Sequence, residues 1–380
     1  LTFNEPVEID TLDATEMIIQ NAQGTVTSSN AIVLAGTTSS SSGLEIVVDL
    51  TNTVLNAIKT NEDLGTDGTD TYLVITTAAI KDRNAQPVAA IAASGALKVT
   101  SVIADSSSGT VIKTELDMNL GTITIEFSET MDYSSISNSK TITIQEKQDS
   151  SAGGEVFEVD GVESISPQSD SNQFVFTLTV TAVNAIKQKT TLADKKANSF
   201  ISVSNALIDD MSSVSVTTIP TNNARAVDAY TVDSSAPTMS QMSFDLDTGV
   251  VSVTFNEPIL KSSVTPAKFF LQNKASAEDV KVALTGATVT SNDGTIQTLK
   301  LTDATLDEIK IATNLCVSLA TCFVSVSADA AKDIADNNGA GNAIVTGAQA
   351  CNTFTTDATA PTLVSWDYTH DALGTLVLKF

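Results

Sequence analysis

Residues 251–260, "VSVTFNEPIL", decide the fold, because apolar and polar residues alternate along them with a period of two. Such alternation is typical of a β-strand with one face in the core and the other in solvent. The motif also opens the chain as "LTFNEPVEID" at Leu1 and recurs as "ITIEFSETMD" at Ile123. It begins again in "LVLKF", which ends at Phe380. One strand motif therefore occurs four times in one sequence.

The spacing of this motif predicts an internal repeat. Its phenylalanine stands at Phe3, Phe127, Phe255 and Phe380, with spacings of 124, 128 and 125 residues. A second motif keeps the same step and reads "LNAIK" from residue 55, "VNAIK" from 183 and "LDEIK" from 306. Self-similarity at a fixed period indicates tandem structural units. We therefore expect repeats of about 125 residues, each with a short helical piece at the second motif.

Within each repeat, short alternating strands are separated by Gly, Asn and Asp, which is typical of a β-sandwich. The sequence predicts an all-β chain with one sandwich for each repeat. The predicted domains are 1–104 (incomplete at its N-terminus), 105–232, 233–356, and the first strand of a further repeat in 357–380. Short linkers such as "VDSSAPT" and "TDATAPT" join them. Units joined in this way contact only their neighbours, so we expect an extended rod.

Composition narrows the functional classes. The chain has 20 basic and 45 acidic residues, a formal net charge of −25. Such a surface repels nucleic acid and anionic lipid and attracts divalent cations. No apolar run approaches the length of a membrane span, so we expect no membrane insertion.

The motifs "TFNEPI" and "KDIADNNGAGN" resemble bacterial Ig-like domains of the SbsA/SwmB type. In that family an early strand ends in Phe-Ser/Asn-Glu-Pro, a late turn reads Asp-x-x-Gly-Asn, and Asp-x-x-Ala-Pro-Thr joins the copies. The resemblance implies Ig-like sandwiches in secreted surface layers, adhesins or surface appendages. The late turns "KDRNAQ" and "DDMSSV" of the first two repeats depart from the pattern, because they lack the Gly-Asn.

Recurrent acids suggest a metal site. Alternation places Glu257 on the inward face with Phe255, where an isolated charge is costly. Acids also recur at the late turn and at the linker, and carboxylates converging at one pole of a sandwich suit Ca²⁺. The candidate calcium ligands are Glu129, Asp209, Asp233, Glu257, Asp333 and Asp357. The alternative is that Pro258 turns the glutamate outward, that the aspartates only form turns, or that Lys81 or Lys332 pairs with an acid.

The three cysteines lie late in the chain, at Cys316, Cys322 and Cys351. In an oxidising compartment they would form one disulfide and leave one thiol, and the sequence does not choose among three pairings. The pairing Cys316–Cys322 would close a short loop, and it leaves Cys351 to cross-link chains. Three reduced, buried thiols are the alternative.

The sequence offers no catalytic arrangement. Its one histidine, His370, has no neighbouring His or Cys, and no glycine-rich phosphate loop is present. We therefore expect no enzyme, but an extracellular or cell-surface scaffold: a repeat segment of a secreted filament, surface layer or appendage that packs against other copies of the same chain. A stalk of a multidomain adhesin is the alternative, and it would be favoured by one divergent repeat with exposed aromatic residues.

Overall fold

The computed structural model describes residues 1–25, 27–61, 63–137, 139–276, 280–339, 347–370 and 373–380. The chain forms two compact units, residues 1–183 with 191–232 and residues 184–190 with 233–380. The first unit holds the first two predicted repeats, and the main division lies at the predicted boundary between residues 232 and 233. The four-part division into domains stays a prediction.

Residues 1–104 of the first unit form short antiparallel strands. Their sheets have the strand orders β3-β2-β7-β9, β5-β1-β8 and β4-β6. One core lies around Met17 and Ile75, and another lies around Val7, Ile46 and Ile80. The strands are β1 (Thr2–Glu8), β2 (Met17–Gln20), β3 (Ala31–Val33), β4 (Gly36–Thr37), β5 (Gly43–Glu45), β6 (Asp49–Leu50), β7 (Tyr72–Ile75), β8 (Lys81–Asp82) and β9 (Leu97–Lys98).

The rest of the first unit is a two-sheet sandwich. A five-stranded sheet has the order β14-β15-β11-β10-β18, and a four-stranded sheet has the order β13-β12-β16-β17. Phe127 and Phe174 of the first sheet and Ile144 and Ile201 of the second are fully buried. The strands are β10 (Val111–Asp117), β11 (Thr122–Met131), β12 (Ser139–Gln145), β13 (Val156–Asp160), β14 (Val162–Ser166), β15 (Ser171–Leu178), β16 (Phe200–Val203), β17 (Arg225–Ala226) and β18 (Ala229–Thr231).

The second unit repeats this topology. Its sheets have the orders β23-β24-β20-β19-β27 and β22-β21-β25-β26, and one core joins Phe244 and Val253 to Leu271 and Val324. The hairpin β28–β29 follows. The strands are β19 (Met239–Asp245), β20 (Val250–Ile259), β21 (Phe269–Gln272), β22 (Lys281–Ala283), β23 (Thr288–Val289), β24 (Gly294–Lys300), β25 (Phe323–Val326), β26 (Gln349–Ala350), β27 (Thr353–Thr355), β28 (Ser365–Thr369) and β29 (Thr375–Lys379).

These sandwiches confirm the predicted all-β fold. The strand motif of the sequence forms β11 and β20, which share one burial pattern: buried residues alternate with less buried ones along the first eight of ten positions. In each sandwich the last strand returns to pair in parallel with the first, β18 with β10 and β27 with β19. This returning strand forms one edge of the five-stranded sheet in both sandwiches.

The second motif forms helices, as expected. They are α1 (Asn52–Lys59), α2 (Val180–Lys187) and α3 (Asp303–Ile311). Thr51 and Thr302 cap the first and third helices by accepting hydrogen bonds from backbone N–H groups of the first turn. Each helix carries a lysine in its last turn. In the described part of the chain, none of the helices is both long enough and apolar enough to span a membrane.

The structure joins Cys316 and Cys322 by a disulfide and leaves Cys351 as a free thiol. Cys351 is buried, and its Sγ donates to the carbonyl oxygen of Thr353. Burial raises the pKa of this thiol. The thiol therefore lies in the core rather than on the surface, where the expected cross-link between chains would need it.

Candidate functional site

Three acids of the second unit meet in one buried place. Asp233 lies in the segment before β19, Glu257 lies near the end of β20, and Asp333 follows β25. Each offers a carboxylate oxygen within 4.8 Å of the others. Their exposed fractions are 6%, 3% and 1%, so this cluster needs a partner of opposite charge.

Lys187, at the end of α2, supplies that charge. Its Nζ lies 2.7 Å from Asp233 Oδ2 and 2.8 Å from Glu257 Oε2. The side chain of Asn337 donates to Asp333 Oδ2 and to the carbonyl oxygen of Asp233. We call Lys187, Asp233, Glu257, Asp333 and Asn337 the second cluster.

In the second cluster, two acids and the lysine have raised pKa values. Burial raises the pKa of Glu257; Lys187 offsets part of this, and the charges of Asp233 and Asp333 add to it. Burial also raises the pKa of Asp333 against the hydrogen bonds from Asn337. For Lys187, burial opposes the charge, but the two contacting carboxylates outweigh it and raise the pKa of the ammonium group. One lysine thus faces three acids that cannot all ionise cheaply.

The first unit contains an equivalent first cluster of Lys59, Asp105, Glu129 and Asp210. The oxygens of the three acids again lie within 4.8 Å of one another. Lys59 Nζ lies 2.5 Å from Asp105 Oδ2 and also contacts Glu129 Oε2. Asp210 Oδ1 accepts from the backbone N–H groups of Ser212 and Val214. The same arrangement therefore forms twice, each time from a helix end, a linker, a strand end and a late turn.

In the first cluster, one acid has a lowered pKa and another has a raised pKa. Burial disfavours the charge of Asp105, but hydrogen bonds from Lys59 and from the Ser107 N–H outweigh burial and lower the pKa of this carboxyl. Burial raises the pKa of Glu129, and Lys59 offsets this only in part. The pKa of Lys59 is raised because its two acids outweigh burial. The glutamate therefore has a raised pKa in both clusters.

The structure brings together four of the six candidate calcium ligands. Glu129 lies in the first cluster, and Asp233, Glu257 and Asp333 lie in the second. Asp209 lies outside, because its carboxylate accepts from the hydroxyl of Ser215 while the neighbouring Asp210 takes the inward position. Asp357 pairs instead with Lys310 of α3 at 2.8 Å, with both side chains 30% exposed.

Sequence reasoning missed the lysines, although a signal was present. Lys59 and Lys187 stand 128 residues apart, the separation that also relates Asp105 to Asp233 and Glu129 to Glu257. A chain with only 20 basic residues repeats a lysine in step with its acids. That coincidence predicts an ion pair.

The geometry bears on the other roles considered for these acids. Glu257 is buried although Pro258 follows it, so the proline does not turn the carboxylate to solvent. Lys332 pairs with Asp336 rather than with the cluster. Each cluster contains one lysine, Lys59 or Lys187, which supplies one positive charge where a calcium ion would supply two. Calcium binding by the two clusters stays a prediction.

In the first repeat, Glu5 and Asp82 stand at the corresponding positions of the strand motif and the late turn. Glu5 of β1 is exposed, and Asp82 is half-buried with its carboxylate on the backbone N–H groups of Asn84 and Gln86. The late turn keeps its local hydrogen bonds there.

Other candidate features have local roles. His370 Nδ1 lies 2.8 Å from the hydroxyl of Tyr368, and both side chains are exposed. In the late turn "KDIADNNGAGN", residues 332–339 are described, and the Gly-Asn at 341–342 lies outside the described residues.

Neither a protein-family model nor a curated protein matches this chain. Among solved structures, it is similar to the S-layer protein rSbsC(31-844), at 19% identity and a TM-score of 0.22 over 38% of this chain and 19% of that one. The N-terminal part of SbsC is similar at 18% identity and a TM-score of 0.21, over 38% and 32%. A Dscam structure matches at 10% identity and a TM-score of 0.15, over 94% and 77%. These TM-scores are low, and the likeness assigns no function to this chain.

Proposed function

We propose that this chain is a structural repeat segment of a secreted filament, surface layer or appendage, and that it acts as an extended scaffold. The observation that carries the proposal is the pair of equivalent clusters. Each joins a helix end of one sequence repeat to the linker and strand of the next. A cluster that recurs in successive repeats is consistent with a structural link between them, whereas a catalyst does not need the same group of side chains in series.

An extracellular or cell-surface location follows from the same proposal. The disulfide Cys316–Cys322 supports an oxidising compartment. The partners are other copies of the chain, in a filament or a layer. Because each copy carries a net charge of −25, packing between copies needs cations to screen the repulsion.

Electron microscopy and sedimentation of the full chain test the scaffold. We expect single chains at low ionic strength with chelator and ordered filaments or sheets when calcium or salt is added. Chains that stay monodisperse at every calcium and salt concentration, up to those of a dense surface layer, would contradict self-assembly. The stalk of a multidomain cell-surface adhesin stays the alternative. It would be supported by monodisperse rods that bind cells or glycans.

A further inference from the structure

The second cluster holds a primary amine against a carboxyl group away from water. The exposed fractions of the Lys187, Asp233 and Glu257 side chains are 12%, 5% and 4%. In water, an ammonium and a carboxylate do not condense, because both are charged and solvated. Burial penalises both charges, and fixed proximity replaces a rare encounter.

Asp233 presents its carboxyl group in an ordered way. Its Oδ1 accepts a hydrogen bond of 3.2 Å from the backbone N–H of Ser235. Its Oδ2 lies 2.7 Å from Lys187 Nζ, and this buried oxygen has no hydrogen-bond partner in the described part of the chain. The carboxyl is therefore held by one oxygen, with the other against the amine.

Glu257 is placed to carry protons between these two groups. Its Oε2 accepts from Lys187 Nζ at 2.8 Å, whereas its buried Oε1 has no hydrogen-bond partner in the described part of the chain. Leaving a buried carboxylate oxygen unpaired is costly in an arrangement that is only structural. An amide N–H or a transferred proton would satisfy it.

We propose that Lys187 and Asp233 condense within the folded chain to form an isopeptide bond, with Glu257 relaying protons. Two protons leave the Lys187 ammonium by way of Glu257 for the departing oxygen of Asp233. The nitrogen lone pair forms the Nζ–Cγ bond, the Cγ–Oδ2 bond breaks, and that oxygen leaves as water. The amide nitrogen keeps one hydrogen. An ammonium and a carboxylate become an amide and one water molecule, so the step needs no oxidant or co-reactant and removes two buried charges.

The first cluster has the same parts. Asp105 Oδ2 lies 2.5 Å from Lys59 Nζ, Asp105 Oδ1 accepts from the Ser107 N–H at 3.0 Å, and Glu129 contacts the same amine. We expect Lys59 to bond to Asp105. The pair Lys310–Asp357 is a control within the chain, because both of its side chains are 30% exposed.

Intact mass spectrometry of the full chain, followed by proteolysis and fragment sequencing, tests the proposal. We expect the mass to be lower by one water for each bond, two in all, beyond the two hydrogens lost to the disulfide. Branched peptides should join Lys187 to Asp233 and Lys59 to Asp105, with Lys310 and Asp357 linear. A full mass with linear peptides at both clusters would overturn the proposal.

Matched variants separate this reaction from other losses of water. Lys187→Arg keeps the positive charge without a primary amine, and Glu257→Gln keeps the shape without the proton relay. In each we expect one water less to be lost, while the first cluster stays cross-linked and reports that the chain has folded. Water loss that persists in Lys187→Arg and maps to an Asp-Gly pair such as Asp293–Gly294 would overturn the bond at Lys187. A cross-linked Glu257→Gln chain would overturn the role of Glu257.

Discussion

The two clusters use the same residue types at the same repeat positions but differ in burial. The lysine, linker aspartate and glutamate side chains are 12%, 5% and 4% exposed in the second cluster, against 19%, 22% and 10% in the first. The partially solvated linker acid of the first cluster, Asp105, keeps a lowered pKa. In the second cluster, the acids with shifted pKa values, Glu257 and Asp333, are both raised. We therefore expect the lysine to contribute more to the stability of the fold in the second cluster, which is more deeply buried, than in the first.

The largest effect is expected from removing that lysine. Lys187→Met leaves three buried acids without a counter-charge, and breaking a buried pair costs about 3–5 kcal/mol. For Lys59→Met we expect roughly half of this, because water screens the more exposed acids. Hydrogen exchange of peptides covering residues 122–131 and 250–259 would read the two clusters separately. Lys332→Met, which removes an exposed pair with Asp336, should cost under about 1 kcal/mol. Equal losses of stability in Lys59→Met and Lys187→Met would mean that the difference in burial does not affect how much each lysine contributes.

Asn337 is the next test, because only the second cluster has a side-chain amide at this place. Asn337→Ala removes the donor to Asp333 and to the carbonyl of Asp233, at an expected cost of about 1–3 kcal/mol. The loss should appear in urea unfolding and as faster exchange in residues 250–259. Exposed Asn338 is the matched control, and Asn338→Ala should change little. An unchanged stability in Asn337→Ala would mean that backbone donors suffice, as they do for Asp210.

The pH dependence should also separate the clusters. A carboxyl with a raised pKa stabilises the fold most below its ordinary pKa, and this contribution is lost as pH rises through the raised value. Glu257 and Asp333 therefore favour the fold more at pH 5 than at pH 7. Asp105 has a lowered pKa, so its contribution is present above its ordinary pKa and is lost as pH falls.

We expect acidification from pH 7 to 5 to protect residues 250–259 from exchange, after correction for the intrinsic rate, more than residues 122–131. Glu257→Gln should reduce the effect in the second cluster, because the amide cannot titrate. A larger gain in the first cluster would reverse the comparison.

Calcium is expected to have the smallest effect in the unaltered chain. The lysine nitrogens already lie among the carboxylates, whether as ammonium groups or as the proposed amides, and leave calcium few free carboxylates to bind. We expect melting temperatures with calcium and with chelator to be close, and a larger calcium-dependent rise in Lys187→Met, where the acids are free to bind the ion. A large rise in the unaltered chain would instead support the calcium prediction.

Much of this arrangement could be predicted from local sequence. The alternation in "VSVTFNE" predicts an inward Glu257, and the structure buries it. The candidate Asp209 lies outside the first cluster and its neighbour Asp210 lies in it. The late turn is irregular, and strand alternation does not extend into it. The bridges Met131–Asp210 and Ile259–Asp333 define the equivalent positions, and they depend on pairing across the sheet.

By itself, the sequence determined the repeat, the sandwich strands, the capped helices and the recurrence of acids, because period-two alternation and helix capping act over a few residues. Only the tertiary structure decided that Lys187 meets acids 46 and 70 residues further along the chain, and that Lys310 pairs with Asp357. Such contacts depend on how a helix end, a linker and a strand end pack together. The burial that follows from that packing turns a common ion pair into a group whose charges the fold cannot leave unpaired.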